Sequence, residues 1–168
     1  YVPDLIDALY RPEAQTRWEI LDALTLLVPQ EGVKLAEALD GAEAALFDDA
    51  SSTLRLSAFR FLATWAALTE KGSAQVWPIL DEAIQCYHGD LEYRDMLGCV
   101  YVFAQGALSA EVAAELAARL KFDAEGGKGT YLRARSKEIL EVLTERFGLE
   151  DNPKRKRAAK AAASGDEE

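Results

Sequence analysis

The sequence predicts an all-α fold, an α-solenoid of about four antiparallel helix pairs. Three observations predict it. An arginine recurs at Arg17, Arg55, Arg94 and Arg133, with gaps of 38, 39 and 39 residues. The apolar pattern behind each arginine recurs with it: six and seven residues on stand Ala23/Leu24, Phe61/Leu62, Val100/Tyr101 and Ile139/Leu140. Three residues on stand Ile20, Ala58, Leu97 and, as the odd member, Ser136. Alanine and leucine dominate while β-branched residues are sparse, which favours helix. A fixed period in this range marks stacked units, none of which can bury its own apolar stripe alone.

Residues 3–10, with Leu5, Ile6 and Leu9, supply a short opening helix. The next spans 13–28, with Trp18, Leu21, Leu24 and Val28 at helical spacing. Pro12 stands near its start, where proline is tolerated, and Pro29-Gln30-Glu31-Gly32 is expected to break it. Helix 33–47 places Leu35, Ala38, Leu39, Ala42 and Leu46 on one stripe. Asp48 to Ser52 is rich in short side-chain oxygens that cap helices. Helix 53–69 follows, with Leu54, Ala58, Leu62, Trp65 and Leu68. Lys71-Gly72-Ser73 is expected to separate it from a helix within 74–88, which starts or kinks at Pro78. His88-Gly89-Asp90 turns the chain into helix 91–107, and Ser109 caps helix 110–122. Residues 123–129 read as a glycine-rich loop, and helix 130–147 is stopped by Gly148. The arginine-bearing helix is the second of each pair. Residues 1–148 therefore read as one folded region, and residues 149–168, which lack periodicity, as a charged, disordered tail.

Charge narrows the function. Residues 1–150 carry 14 Lys and Arg against 25 Asp and Glu, a net of −11, and the last 18 residues carry 5 against 4. An acidic body repels a phosphate backbone, so nucleic-acid contact is left to the tail, at Lys154, Arg155, Lys156 and Arg157. That cluster also matches a short nuclear-import signal. No apolar run reaches the roughly 18 to 20 residues of a membrane span. Two cysteines, Cys86 and Cys99, fit a reducing intracellular compartment, cytoplasmic or nuclear. The chain opens at Tyr1 rather than Met, as a fragment or a processed form would.

The period, the apolar columns and the turns resemble HEAT repeats of the armadillo-like superfamily, over about 3–147. In that family an acidic or capping residue in the turn precedes the arginine of the second helix. Asp49 before Arg55 and Asp90 before Arg94 match. Pro78-Ile79-Leu80 resembles the proline-then-apolar step of the family's first helix, and only this one of the four carries it. The resemblance implies a right-handed α-solenoid that serves as an interaction scaffold, with the second helices lining a concave face.

Individual residues are weighed against plainer roles. The arginine column suits a ladder that bridges turn carboxylates and neighbouring units, because guanidinium forks bind carboxylates two-pronged. Trp18 and Asp22 lie four residues apart on one helix face. That pair is loosely similar to the aromatic and aspartate set of HEAT-like DNA-alkylation-repair glycosylases, a minor alternative given the acidic body. Trp65 and Trp77 read as packing. His88, the sole histidine, ends a helix, where its charge suits the dipole. Gly126-Gly127-Lys128-Gly129-Thr130 opens a helix but lacks Walker spacing. No catalytic set, metal site or cofactor fingerprint is read. The expectation is a non-enzymatic protein-binding scaffold or adaptor. Its partner face comprises Trp18, Asp22, Arg60, Asp95, Glu138 and Glu141, with Leu56 and Tyr93 as adjacent apolar contacts, and its partner segment is basic or amphipathic. The competing class is a nucleic-acid-associated factor that uses the tail.

Overall fold

The computed structural model of the chain describes residues 2–10, 13–49 and 51–149. Among these residues there are eight α-helices, one 3-10 segment and no strand. The helices are α1 (Val2–Ala8), α2 (Ala14–Glu31), α3 (Leu39–Leu46), α4 (Ser52–Ala66), α5 (Glu70–Tyr87), α6 (Tyr93–Phe103), α7 (Ala110–Gly126) and α8 (Thr130–Phe147). The 3-10 segment, Lys34–Ala38, leads into α3. No helix of the described residues is long and apolar enough to cross a membrane. The tail expected over 149–168 lies outside the described residues, apart from Leu149.

Local chemistry sets the helix starts. Ser51 is extended (φ −158°) and its Oγ accepts the Leu54 amide at 3.3 Å, as the capping segment predicts. Ser109 accepts the Val112 amide at 3.2 Å in the same way. Gly148 ends α8 at φ +63°, a left-handed conformation that costs glycine little.

Four boundaries differ from the sequence expectation, each for a physical reason. Lys71-Gly72-Ser73 is not a separator. Thr69 caps α5 by accepting the Gly72 amide at 2.9 Å, so those residues form its first turn. Of the start or kink expected at Pro78, the start is overturned, because α5 begins at Glu70 and holds Pro78 in its interior. The proline side chain and Ala74, whose carbonyl loses a partner, both face outward where water can take that carbonyl. The break expected over Pro29-Gln30-Glu31-Gly32 falls at its far end, since α2 runs to Glu31 with Gly32 after it and the fixed φ of Pro29 is itself helical. Helix α7 runs to Gly126 through most of the expected loop, with Asp123 buried and its carbonyl accepting the Gly127 amide at 2.9 Å.

The described residues form two compact units that divide between Val112 and Ala113, inside α7. In the first unit α4 is central and packs on α2, α3, α5 and α6. Its Leu54, Ala58, Phe59, Phe61, Leu62 and Ala66 are fully buried. Helices α2, α4 and α6 lie side by side and run the same way. At their N-terminal ends Arg17 reaches Asp48 at 2.8 Å and Arg55 reaches Glu92 at 2.6 Å. At their C-terminal ends the Trp65 indole donates to the Gly32 carbonyl at 2.8 Å, and the Ala107 amide to the Ala67 carbonyl at 2.8 Å. Gly106 permits that last approach: a Cβ there would lie 2.5 Å from the Ala67 Cβ. The Tyr87 hydroxyl at the end of α5 donates to the Leu46 carbonyl at the end of α3 at 2.8 Å.

The arginine column is thus a ladder in its first two members. The bridging acids are Asp48 and Glu92, each in the turn that precedes the next helix of the row. Arg55 also donates to the Asp48 carbonyl at 3.2 Å and stands 5.2 Å over the Tyr87 ring. Its guanidinium pKa is raised, chiefly by the Glu92 hydrogen bond, against the opposing cost of burial. In the second unit Arg133 donates instead to the Gly127 carbonyl at 2.9 Å. There Ile139 and Leu143 are buried, and so is Ser136, whose Oγ has no hydrogen-bond partner among the described residues.

Candidate functional site

Four of the six expected partner-face residues belong to the first unit, on the row α2, α4 and α6. Trp18 is half-buried on α2, one turn before Asp22. The Asp22 Oδ1 lies 3.6 Å from an Arg60 nitrogen, with the two side chains 39% and 43% exposed. That separation is too long for a hydrogen bond. Although the residue is partly exposed, its Oδ1 atom is covered and makes none. Arg60 and Asp95 line one half-open hollow of about 370 Å³, with Ala63, Cys99, Val102 and Phe103. This volume falls near the lower end of ligand clefts, about 300 to 1,000 Å³, and fits one or two large side chains. Glu138 and Glu141 are exposed on α8 in the second unit, and Glu138 pairs with Arg135 at 2.9 Å.

The repeat explains why these residues meet. Asp22, Arg60 and Cys99 each stand five residues after a column arginine, at Arg17, Arg55 and Arg94. Parallel neighbours bring equal positions to equal heights. Cys99 was missed at the sequence level, although this spacing marks it. Burial pushes its thiol pKa up, and the Arg60 charge and hydrogen bond act in the opposite direction.

Other expectations are placed as follows. Tyr93 is 3% exposed and belongs to the core rather than to the face, whereas Leu56 is half-buried one turn before Arg60. Trp77 is buried and stacks 6.3 Å from Phe103. Trp65 is half-buried and tied to the Gly32 carbonyl. His88 follows α5, its ring 4.9 Å from Tyr93. No group of three or more metal-ligating side chains forms among the described residues. Lys154, Arg155, Lys156 and Arg157 lie outside them. A second hollow, of about 340 Å³, lies where α2 meets the 3-10 segment, between Pro29, Val33 and Leu68.

Comparison with protein-family models and with curated protein sequences finds no match to this chain.

Proposed function

We propose that the chain is a non-enzymatic scaffold or adaptor of the HEAT-like α-solenoid kind, which holds a partner protein on the outer face of α2, α4 and α6. One observation carries the reading: parallel packing gathers Asp22, Arg60 and Asp95 onto an open face beside a hollow with apolar walls. Charged side chains around apolar contact area suit recognition of another chain.

Photo-crosslinking residues at Leu26 and Val102 on the row, and at Glu82 and Gln85 on the exposed side of α5, test it in cell extract. The same partner captured at both row positions and at neither α5 position is the expected result. Capture from α5 alone overturns it.

The competing reading, a nucleic-acid-associated factor, rests on the sequence cluster Lys154 to Arg157. It predicts nucleic-acid binding that weakens, with a shallower salt dependence, when those four residues are neutralised. The glycosylase-like alternative rests only on Trp18 and Asp22.

A further inference from the structure

The outer face of the row is graded in chemistry. Toward the N-terminal ends of the helices it presents Trp18, Leu56 and Asp95, and at the next level Asp22, Arg60 and Cys99. Beyond these, Leu26 is 82% exposed and Val102 60% exposed. Leu26 lies one turn from Asp22 on the same stripe of α2, and Val102 lines the hollow with Asp95. Arg60 is the one cation among these eight positions. It is half-exposed and held to Asp22 only at 3.6 Å. Around it, residues 1–112 carry 7 Lys and Arg against 18 Asp and Glu, a net of −11, while residues 113–168 carry 12 against 11. The whole acidic excess of the chain therefore sits in the unit that bears this face.

We infer that this face receives a basic amphipathic helix of a partner protein, and that Arg60 is the internal competitor of the partner's lysine or arginine. The inference rests on the scaffold reading and names its occupant. Exposed leucine and valine beside a hollow of one or two side chains take an apolar stripe. Two carboxylates, Asp22 on α2 and Asp95 on α6, take the flanking cations. An acidic unit also steers a cationic segment toward them. Three parallel helices at about 10 Å spacing span roughly 20 Å, which about 13 residues of helix cover at about 1.5 Å each. Because Arg60 already lies 3.6 Å from Asp22 and lines the hollow with Asp95, an incoming cation gains only what Arg60 gives up. Arg60 thereby limits affinity for basic segments and sets the charge preference of the face. An acidic segment would meet Asp22 and Asp95 with Arg60 as its one counter-charge on the face. A nucleic-acid strand would meet the same repulsion along its length.

The test uses the full chain and two synthetic helical peptides of about 16 residues, long enough to overhang the row. They share one leucine stripe, and their polar positions are all lysine in one and all glutamate in the other. Fluorescence anisotropy reads binding, and labelling of Cys99 against the exposed Cys86 on α5 reads its location. The lysine peptide is expected to bind and to protect Cys99 but not Cys86. Asp22→Asn and Asp95→Asn are expected to weaken it about 2- to 5-fold each, the scale of exposed ion pairs. Arg60→Gln is expected to tighten it by a similar factor, with Arg60→Lys restoring wild-type affinity and circular dichroism checking that each variant folds. Weaker binding in Arg60→Gln, preference for the glutamate peptide, no binding of either peptide, or binding without Cys99 protection overturns the inference. If crosslinks from Leu26 and Val102 still capture one partner in those cases, the scaffold reading stands and only its basic occupant falls. If they capture none, both fall.

Discussion

Arg55 and Arg60 leave the same helix five residues apart, but the first is 14% exposed and 2.6 Å from Glu92, while the second is 43% exposed and 3.6 Å from Asp22. Arg55 has three directions satisfied at once. Its Nε and Nη2 donate to one Glu92 oxygen, its Nη1 donates to the Asp48 carbonyl, and its plane covers Tyr87. It ties the N-terminal end of α4 to α6 and, through the Asp48 that also holds Arg17, to α2. Arg60 makes one loose ion pair with Asp22 and meets the Cys99 thiol at the edge of a hollow. The difference teaches that a repeated charge is read by its surroundings and not by its recurrence. An arginine whose donors are all engaged near the interior orders helices, and one left half in water with a long pair is available to another molecule.

The comparison breaks completely if the packing beneath both arginines is removed. Leu62 is fully buried in α4, the helix that meets four others. Leu62→Ala should cost about 2 to 5 kcal/mol of stability, from lost transfer energy plus the cavity left behind. Urea denaturation followed by circular dichroism measures it. A loss below about 1 kcal/mol would mean that α4 is not the centre of the first unit.

Arg55→Ala should come next, at about 2 kcal/mol, because it leaves the Glu92 carboxylate, 16% exposed, without its partner and uncovers the Tyr87 ring. The same denaturation measurement checks it. A result equal to that of Arg60→Ala would erase the distinction between the two belts.

How much of this was legible follows from what each signal depends on. The period was legible because Arg17 and Arg55 make equivalent bridges to the next turn, and equivalent bridges need equal spacing. The meeting of Asp22 with Arg60 was legible for the same reason. The identity of the bridging acids was not, since Asp48 and Asp49 are neighbours in sequence, as are Leu91 and Glu92 near Asp90. Only backbone geometry decides which carboxylate points along the row. Gly72, Pro29 and Pro78 misled the boundaries because their residue types report intrinsic preference. A threonine cap, a terminal turn and an outward-facing carbonyl overrode that preference. Cys99 stood at the marking spacing but carried no charge, and Val102 became visible only once parallel packing set it beside the hollow.

Tyr87 sharpens the ladder side of the comparison through pH. Burial raises the pKa of its hydroxyl, with Arg55 acting in the opposite direction. The unfolded chain therefore gives up this proton first, near pH 10. The contribution of the buried, protonated Tyr87 is whole below about pH 10 and is lost as pH rises through the folded-state value. Tyr87→Phe should cost about 1 kcal/mol at neutral pH, for the hydrogen bond to the Leu46 carbonyl. It should also remove part of the alkaline loss. Thermal melts at about pH 8 and pH 10.5 should show a smaller drop for the variant than for the wild type. An equal drop would place the alkaline sensitivity elsewhere.

Arg60→Ala gives the smallest expected effect on stability. A half-exposed ion pair at 3.6 Å gains little Coulomb energy in high dielectric and costs side-chain entropy to hold. The Thr64 hydroxyl donates to the Arg60 backbone carbonyl at 2.7 Å and keeps that bond whatever the side chain is. The change should therefore stay within about 0.5 kcal/mol. It should also move little with added salt, since so weak a pair leaves little for screening to remove. A loss near 2 kcal/mol would make Arg60 a second rung of the ladder, with its charge committed to holding α2 against α4. A near-zero loss leaves the guanidinium thermodynamically uncommitted in the isolated chain, which is the condition an incoming partner needs if it is to displace Arg60 from Asp22.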